Sequence, residues 1–364
     1  MKKVLILSNH ILGIYSFRRE LIQRMLDEGY EVFIAAPAHE KTSYFTQMGC
    51  ECIETPINRR GTNPITDIKL LFNYFKVVKK LKPDVVLTYT IKPNVYGGIV
   101  CRLLDVPYIA NITGLGTVVE NKGILQKVTL FLYRIALKGV SSLFFQNEEN
   151  QRFFKNENIA VNKHQLIPGS GVNLEHFNLL DYPGDEKVEF LFIARIMKEK
   201  GIDQYLEAAE YIKDRHPNTV FHILGNCDED YIGKLNEMDK KGIITYHGRR
   251  DDVREFHKYS HCTIHPTYYP EGMSNVLLES AACGRPIITT NRPGCKEIVD
   301  NGQNGYLIMQ QNSEDLIEKI EKFLSMDYET KKKMGLYSRK KVENKFDRNI
   351  VVNAYIEKID QINK

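Results

Sequence analysis

The sequence predicts an α/β protein of two doubly wound domains, and three observations carry the prediction. Short apolar runs rich in Val, Ile, Leu and Phe alternate with amphipathic helical stretches along nearly the whole chain, the pattern of parallel sheets covered by helices. The 364 residues exceed what one hydrophobic core usually serves. Near the middle, Pro168-Gly169-Ser170-Gly171 and Asp181-Tyr182-Pro183-Gly184 have the composition of a linker. The boundary is expected near residue 175, giving domains over 1–175 and 176–345 and a tail over 346–364. No strand follows the tail's helical pattern, so that helix is free to pack back on the first domain.

In the first half the apolar runs place strands at 3–7, 31–35, 85–88, 108–112 and 143–145. In the second they fall at 188–194, 219–224, 243–246, 262–265, 286–289 and 306–309. Open parallel sheets bind ligands outside the carboxyl ends of their strands. Two such domains facing each other would enclose one cleft, and the chemistry belongs in the loops that follow strands.

Hydrophobic residues at 43% and charged residues at 26% mark an ordinary globular chain without low-complexity tracts. A net charge of +4 is too small to signal nucleic-acid binding, and no finger or arginine-rich arm is present. Seven cysteines without a CxxC pair or zinc-like spacing read as reduced, mostly buried thiols of a cytoplasmic protein. Val4 to Leu7 is too short for a signal sequence, and no run approaches the roughly 20 apolar residues of a membrane span.

Two segments are basic and apolar at once. Lys76, Lys79, Lys80 and Lys82 close a helical run carrying Leu70, Leu71, Phe72, Tyr74 and Phe75, while Lys127, Arg134 and Lys138 punctuate Leu130, Phe131, Leu132 and Tyr133. Each reads either as a core-facing helix with a solvated side or as a segment lying on an anionic membrane surface.

The densest chemistry follows the strand at 262–265, where Pro266 to Asn275 leads into a helical run, Val276 to Cys283, stopped by Gly284-Arg285-Pro286. Ser274 or Asn275 is placed to cap that helix, whose first-turn amides and positive dipole end suit a phosphate. Gly272 lets the backbone come close to a ligand. Glu279 lies among Val276, Leu277, Leu278, Ala281 and Ala282, where a buried carboxylate needs a partner such as the vicinal hydroxyls of a ribose. Glu271 taken alone also reads as a capping acid. A second element agrees: the strand at 188–194 runs into Arg195-Ile196-Met197-Lys198-Glu199-Lys200-Gly201. Two cations there can neutralise a departing diphosphate, a role a metal ion can also fill; exposed loop charges are the plainer reading.

Arg195-x4-Lys200-Gly201, Glu271-Gly272-Met273-Ser274 with Glu279 eight residues after Glu271, and Ala282-x-Gly284-x-Pro286 resemble the retaining family 4 glycosyltransferases of GT-B fold, also called glycosyl transferases group 1. Pro293-Gly294-x-x-Glu297 and Asn304-Gly305-Tyr306-Leu307 extend the likeness. The resemblance implies that Arg195 and Lys200 bind the donor diphosphate, that Glu271 contacts donor-sugar hydroxyls, and that Glu279 holds the ribose. Gly272, Met273, Ser274 and Asn275 would line the donor. It also implies retention at the sugar, with the leaving phosphate oxygen helping to deprotonate the acceptor.

In the first half, Ser8 to Ser16 reads as a loop after the first strand, and Phe17-Arg18-Arg19-Glu20 opens a helix. The resemblance carries Gly13 over to the donor phosphates. His10 is a candidate base or an exposed loop residue. Many family members have a histidine after a later strand, but Thr88 to Asn94 offers none. Lys92 stands there instead, as a cation for acceptor or phosphates or as a plain loop charge. Thr90-Ile91-Lys92-Pro93-Asn94 and Thr113-Gly114-Leu115-Gly116 look like members that build bacterial surface polysaccharides on lipid-linked acceptors, with Glu120 a candidate acceptor-side base.

Two motifs are set aside. Gly114-x-Gly116 lacks the third small residue of a dinucleotide fingerprint, because Val119 stands there. Asp228-Glu229-Asp230 spells a metal-binding DxD yet reads as acids at a helix start.

The chain is therefore expected to transfer a hexose or N-acetylhexosamine from a nucleotide sugar, foremost a UDP-sugar, to a glycan or polyprenyl-diphosphate-linked acceptor in capsule or lipopolysaccharide synthesis. No cofactor or metal is expected, and the place is the cytoplasm or the cytosolic face of the membrane. A sugar-nucleotide epimerase of the same fold and a non-catalytic nucleotide-sugar-binding module are the alternatives.

Overall fold

The apolar runs become two parallel sheets in the computed structural model, which describes residues 2–58, 61, 63–116 and 123–362. The chain divides into two units, Met1–Ser170 with Arg348–Lys364, and Gly171–Asp347. The division falls after Ser170 rather than at 175, and the chain returns to the first unit at Arg348 rather than 346.

In the first unit β1 (Lys3–Leu7), β2 (Glu31–Ala36), β3 (Glu51–Glu54), β4 (Val85–Tyr89), β5 (Tyr108–Ile112), β6 (Ser142–Phe145) and β7 (His164–Leu166) form one sheet in the order β3-β2-β1-β4-β5-β6-β7. Every pairing is parallel. The central strands are apolar along their length because helices cover both faces, and Val4 to Leu7 are fully buried. The two strands missed from the sequence are the edges. Glu51-Cys52-Ile53-Glu54 and His164-Gln165-Leu166 pair on one side only and contain no fully buried residue, so no apolar run marks them.

The last helix, Arg348–Ile362, completes this unit. It buries Val351, Val352, Tyr355, Ile356 and Ile359 in the cluster that holds Val4, Ile6 and Ile34. Asn111 Nδ2 donates to Tyr355 Oη at 2.6 Å, Arg348 meets Glu20 at 2.9 Å, and Asp360 accepts from Lys2 at 2.8 Å and Tyr30 at 2.7 Å.

In the second unit β8 (Val188–Ile193), β9 (Thr219–Leu224), β10 (Thr245–Tyr246), β11 (Cys262–His265), β12 (Ile287–Thr290) and β13 (Gly305–Ile308) run β10-β9-β8-β11-β12-β13. Each sheet thus has one place where the winding reverses, between β1 and β4 in the first and between β8 and β11 in the second. There the loops leaving neighbouring strands diverge and open a crevice at the carboxyl ends.

All seven cysteines are free thiols, five of them buried. Among the described residues no helix is long and apolar enough to cross a membrane.

Candidate active site

The reversal in the second sheet brings the loop after β8 beside the loop after β11. Lys200, from the first, forms an ion pair with Glu271, from the second, with side chains only 10% and 19% exposed. Tyr269 lies beside both cations, its ring centroid 4.7 Å from Lys200 Nζ and 5.3 Å from Arg195 Cζ. Arg195 also donates to Asp228 Oδ2 at 2.8 Å. Burial works against its charge, but the Asp228 carboxylate and Tyr269 hold the guanidinium above its ordinary value.

Asp228 and Glu229 do not cap the next helix, which starts after Tyr231 without a side-chain cap. Asp228 receives Arg195, and Glu229 accepts the Lys198 amide at 2.8 Å, so these acids hold the cationic loop in shape. Among the described residues no group of three or more His, Cys, Asp or Glu is arranged to hold a metal ion.

Backbone locks the two loops together. Glu199 O accepts from the amides of Tyr268 and Tyr269, both at 2.9 Å, and from Thr267 Oγ1 at 3.2 Å. Gly201 has φ +79, and a Cβ built on it would run into Pro266 O. Behind Glu271, Gly294 has φ +85, and a Cβ there would come within 2.9 Å of Glu271 Cβ and Gly272 O. Glu297 accepts the Gly294 amide at 2.8 Å, and Gly294 O accepts the Ser274 amide at 2.7 Å. The Pro293-Gly294-x-x-Glu297 motif is therefore the buttress of the Glu271 loop. Beneath, His265 is fully buried, and desolvation with the nearby Lys200 charge pushes its pKa down to about 3.

Ser274 is the N-cap of the helix Asn275–Ala282 by backbone, and its side chain makes no capping bond. The amides of residues 275–277 have no carbonyl within the helix to accept them. Asn275 Oδ1 is buried beside them without a hydrogen-bond partner. Met273 and Gly272 are buried; Glu279 is half-buried. The helix is mostly buried, as expected, and helical phase sets the exposure of Glu279 within it. Leu277, Leu278, Ser280, Ala281 and Ala282 take the core side, while Glu279 shares the open face with Asn275, four residues before it.

In the first unit the reversal between β1 and β4 gathers His10, Gly13 and Lys92. The supposed loop over Ser8 to Ser16 is helical from Ile11, and Gly13 lies inside the helix Ile11–Phe17. A Cβ on Gly13 would meet no atom within 4 Å. His10 is the extended residue before that helix, with its ring edge-on to His39 at 6.2 Å. Lys92 is neither an exposed loop charge nor aimed at solvent. Its side chain is 13% exposed and pairs with Asp67 at 2.6 Å, and Asp67 also accepts from Tyr96 Oη at 2.9 Å. Asp67 went unnoticed in the sequence, since only the fold brings it to a residue 25 positions later. Asn94 is structural, bonded to Thr88 at 2.7 Å and to Asn111 O at 2.9 Å. Glu120 and Val119 lie outside the described residues.

Solved structures share this architecture. HepE of Anabaena in complex with UDP and glucose matches with a TM-score of 0.81 over 99% of this chain and 100% of its own, at 15% identity. A glycosyltransferase of Rickettsia africae matches at 0.81 over 100% and 99%, at 20% identity. The two doubly wound units thus define a GT-B fold.

The family model described as "Glycosyl transferases group 1" matches residues 182–341, and "Glycosyl transferase 4-like" matches residues 3–147. The two models together span most of the chain, the group 1 model lying on the second unit, and the chain is a glycosyltransferase. The N,N'-diacetylbacillosaminyl-diphospho-undecaprenol alpha-1,3-N-acetylgalactosaminyltransferase of Campylobacter jejuni is 28% identical over 98% of both chains. The UDP-Gal:alpha-D-GlcNAc-diphosphoundecaprenol alpha-1,3-galactosyltransferase of Escherichia coli is 28% identical over 72% of this chain and 71% of its own.

Proposed function

We propose that this protein moves a hexosyl or N-acetylhexosaminyl group from a UDP-sugar to an acceptor on a polyprenyl diphosphate in surface-polysaccharide synthesis, with retention and without a metal. The observation that carries this reading is the Lys200–Glu271 pair beside Arg195 and Tyr269 at the sheet's reversal point. A donor diphosphate at the start of the helix Asn275–Ala282 draws Lys200 from Glu271, and the carboxylate turns to the sugar hydroxyls. Arg195 and Lys200 then hold the charge that grows on the leaving phosphate, where fixed cations stabilise a transition state most. Retention is supported by the printed activity of the Escherichia coli relative, which makes an alpha linkage from UDP-Gal, itself an alpha glycoside. The lipid-linked acceptor is supported by the names of both relatives.

The test supplies a panel of UDP-sugars and a polyprenyl-diphosphate-linked sugar to the purified protein, with and without EDTA. Alpha-linked product in EDTA is expected. A beta linkage removes retention, recovery only with added metal removes metal independence, and donor converted without acceptor points to an epimerase.

Gly13→Ala checks the phosphate role given to the first unit. Alanine is favoured over glycine in a helix by about 1 kcal/mol and has room here, so the melting temperature should hold or rise. Transfer should nonetheless fall at least about tenfold, because the methyl occupies ligand space. Unchanged donor KM would take Gly13 away from the donor.

Peripheral contact with an anionic membrane is part of the reading. The helices Pro64–Leu81 and Ile124–Ala136 pack Leu70, Tyr74, Leu130 and Tyr133 into the core, yet Ile65, Phe72, Ile124 and Phe131 are 65%, 58%, 83% and 59% exposed. Exposed apolar residues flanked by lysines suit a lipid surface with anionic headgroups. Phe72→Asp with Phe131→Asp should abolish co-sedimentation with vesicles containing phosphatidylglycerol while leaving thermal stability unchanged. Binding equal to wild type would remove the membrane contact.

A further inference from the structure

The Asp67–Lys92–Tyr96 cluster in the first unit borders a cavity. Pro56, Asn58, Thr66, Asp67, Leu70 and Asn73 line about 460 Å³ between the chain leaving β3 and the first turns of the helix Pro64–Leu81. This is the carboxyl-end side of the sheet, where doubly wound domains bind ligands, and the volume lies within the ordinary range for small-molecule sites. The walls supply two amides, a hydroxyl, a carboxylate and the Lys69 ammonium above the aliphatic Pro56, Ile57 and Leu70. Hydroxyl edges and C–H faces of a pyranose match such a lining: Thr66 Oγ1, which donates to Asn63 O at 2.8 Å, can accept, and the Asn58 amide nitrogen can donate while its Oδ1 takes the Gly61 amide at 2.9 Å.

Asp67 is held for such a task. Lys92 Nζ bonds its Oδ1 at 2.6 Å and Tyr96 Oη its Oδ2 at 2.9 Å, which fixes the carboxylate plane and leaves each oxygen a second lone pair. A paired charge this far from water adds little stability over an apolar pair, so its presence calls for another reason. Two residues before Lys92, Thr90 takes φ +72, a left-handed conformation that residues other than glycine adopt rarely and that concentrates at binding sites. The next turn, Pro93–Gly97, is π-helical, another feature enriched there. The same helix that walls the cavity presents Ile65, Ile68 and Phe72 to solvent.

We propose that this cavity is an acceptor subsite: it holds a sugar unit of a lipid-linked glycan, with Asn58, Thr66 and Asn73 reading hydroxyls and Asp67, oriented by Lys92 and Tyr96, accepting from one of them. The neighbouring apolar stripe accompanies the lipid. The inference rests on the proposed function and goes further in naming the residues that recognise the acceptor.

Calorimetric titration of the full chain with farnesyl-diphosphate-linked N-acetylglucosamine, in the presence of UDP, reads the subsite without requiring turnover. Asn73→Leu and Thr66→Val should each weaken binding several-fold and together at least about tenfold, with the UDP-induced rise in melting temperature unchanged. Asp67→Asn should raise acceptor KM with donor KM unmoved; a merely structural Asp67 would lower stability and both affinities together. Variants that bind the probe as wild type does overturn the subsite while the proposed function stands. Wild type that binds UDP but not the probe also overturns it. Wild type that binds neither UDP-sugars nor the probe fails the proposed function itself.

Discussion

Lys200→Ala is expected to lower kcat/KM for transfer by about 10²–10³-fold, the size of effect seen when one fixed partner of a developing negative charge is removed. Lys200 is 8% exposed, fully committed to Glu271 and Tyr269, and carried on a loop whose backbone is bonded to the loop that bears Glu271. Alanine deprives Glu271 of its cation in a site that water reaches only partly. Stability should fall by about 1–3 kcal/mol, less than for a fully dry pair because Glu271 keeps 19% of its side-chain surface. Lys200→Arg should not restore transfer, since a planar fork cannot take the place of a compact ammonium packed over Tyr269. Steady-state kinetics with melting curves at saturating UDP separate the two losses. Transfer within threefold of wild type would remove Lys200 from the reaction.

Gly201→Ala is expected to be nearly as damaging although it deletes no functional group. The left-handed φ of +79 costs a non-glycine residue on the order of 1 kcal/mol, and the new methyl lands on Pro266 O. The loop must move, and the bonds from Tyr268 and Tyr269 to Glu199 O must open with it. Lys200 and Glu271 then part by about an ångström, enough to cost roughly 10²-fold in rate. A drop in melting temperature of several degrees should accompany the loss, at roughly 2–4 °C per kcal/mol for a unit of this size. Gly13→Ala is the control for stability alone, the same substitution where no neighbour lies within 4 Å and the melting temperature should not fall. If Gly201→Ala keeps full activity, the backbone lock does not position the pair.

How much of this was legible depends on whether a feature is local. The residues of the candidate site are visible in the sequence because each motif is a short strand–loop–helix passage: cations after β8, an acid and a helix start after β11. Around Glu279 the apolar neighbours announce a mostly buried helix, while the half-burial of the carboxylate itself follows helical phase. The acidic run at Asp228 was assigned to a helix start, but the isolated bridge between Ile196 and Cys227 carries it to the cationic loop. The sequence leaves Lys92 open between a ligand cation and a plain loop charge, because its partner Asp67 is remote in sequence.

Local pattern alone carries the fold class, the central strands, the order of the candidate-site motifs and the family resemblance. Alternation of apolar runs with helical periods is written residue by residue, and buried strands and glycine turns tolerate few alternatives. Tertiary structure alone decided the edge strands β3 and β7, the return of the last helix to the first unit, the Lys200–Glu271 and Lys92–Asp67 pairings, and the cavity beside Asp67. Each depends on which strands lie side by side at a reversal of winding or at a sheet edge. That arrangement is set by the packing of whole helices on sheets, and no short window of sequence contains it.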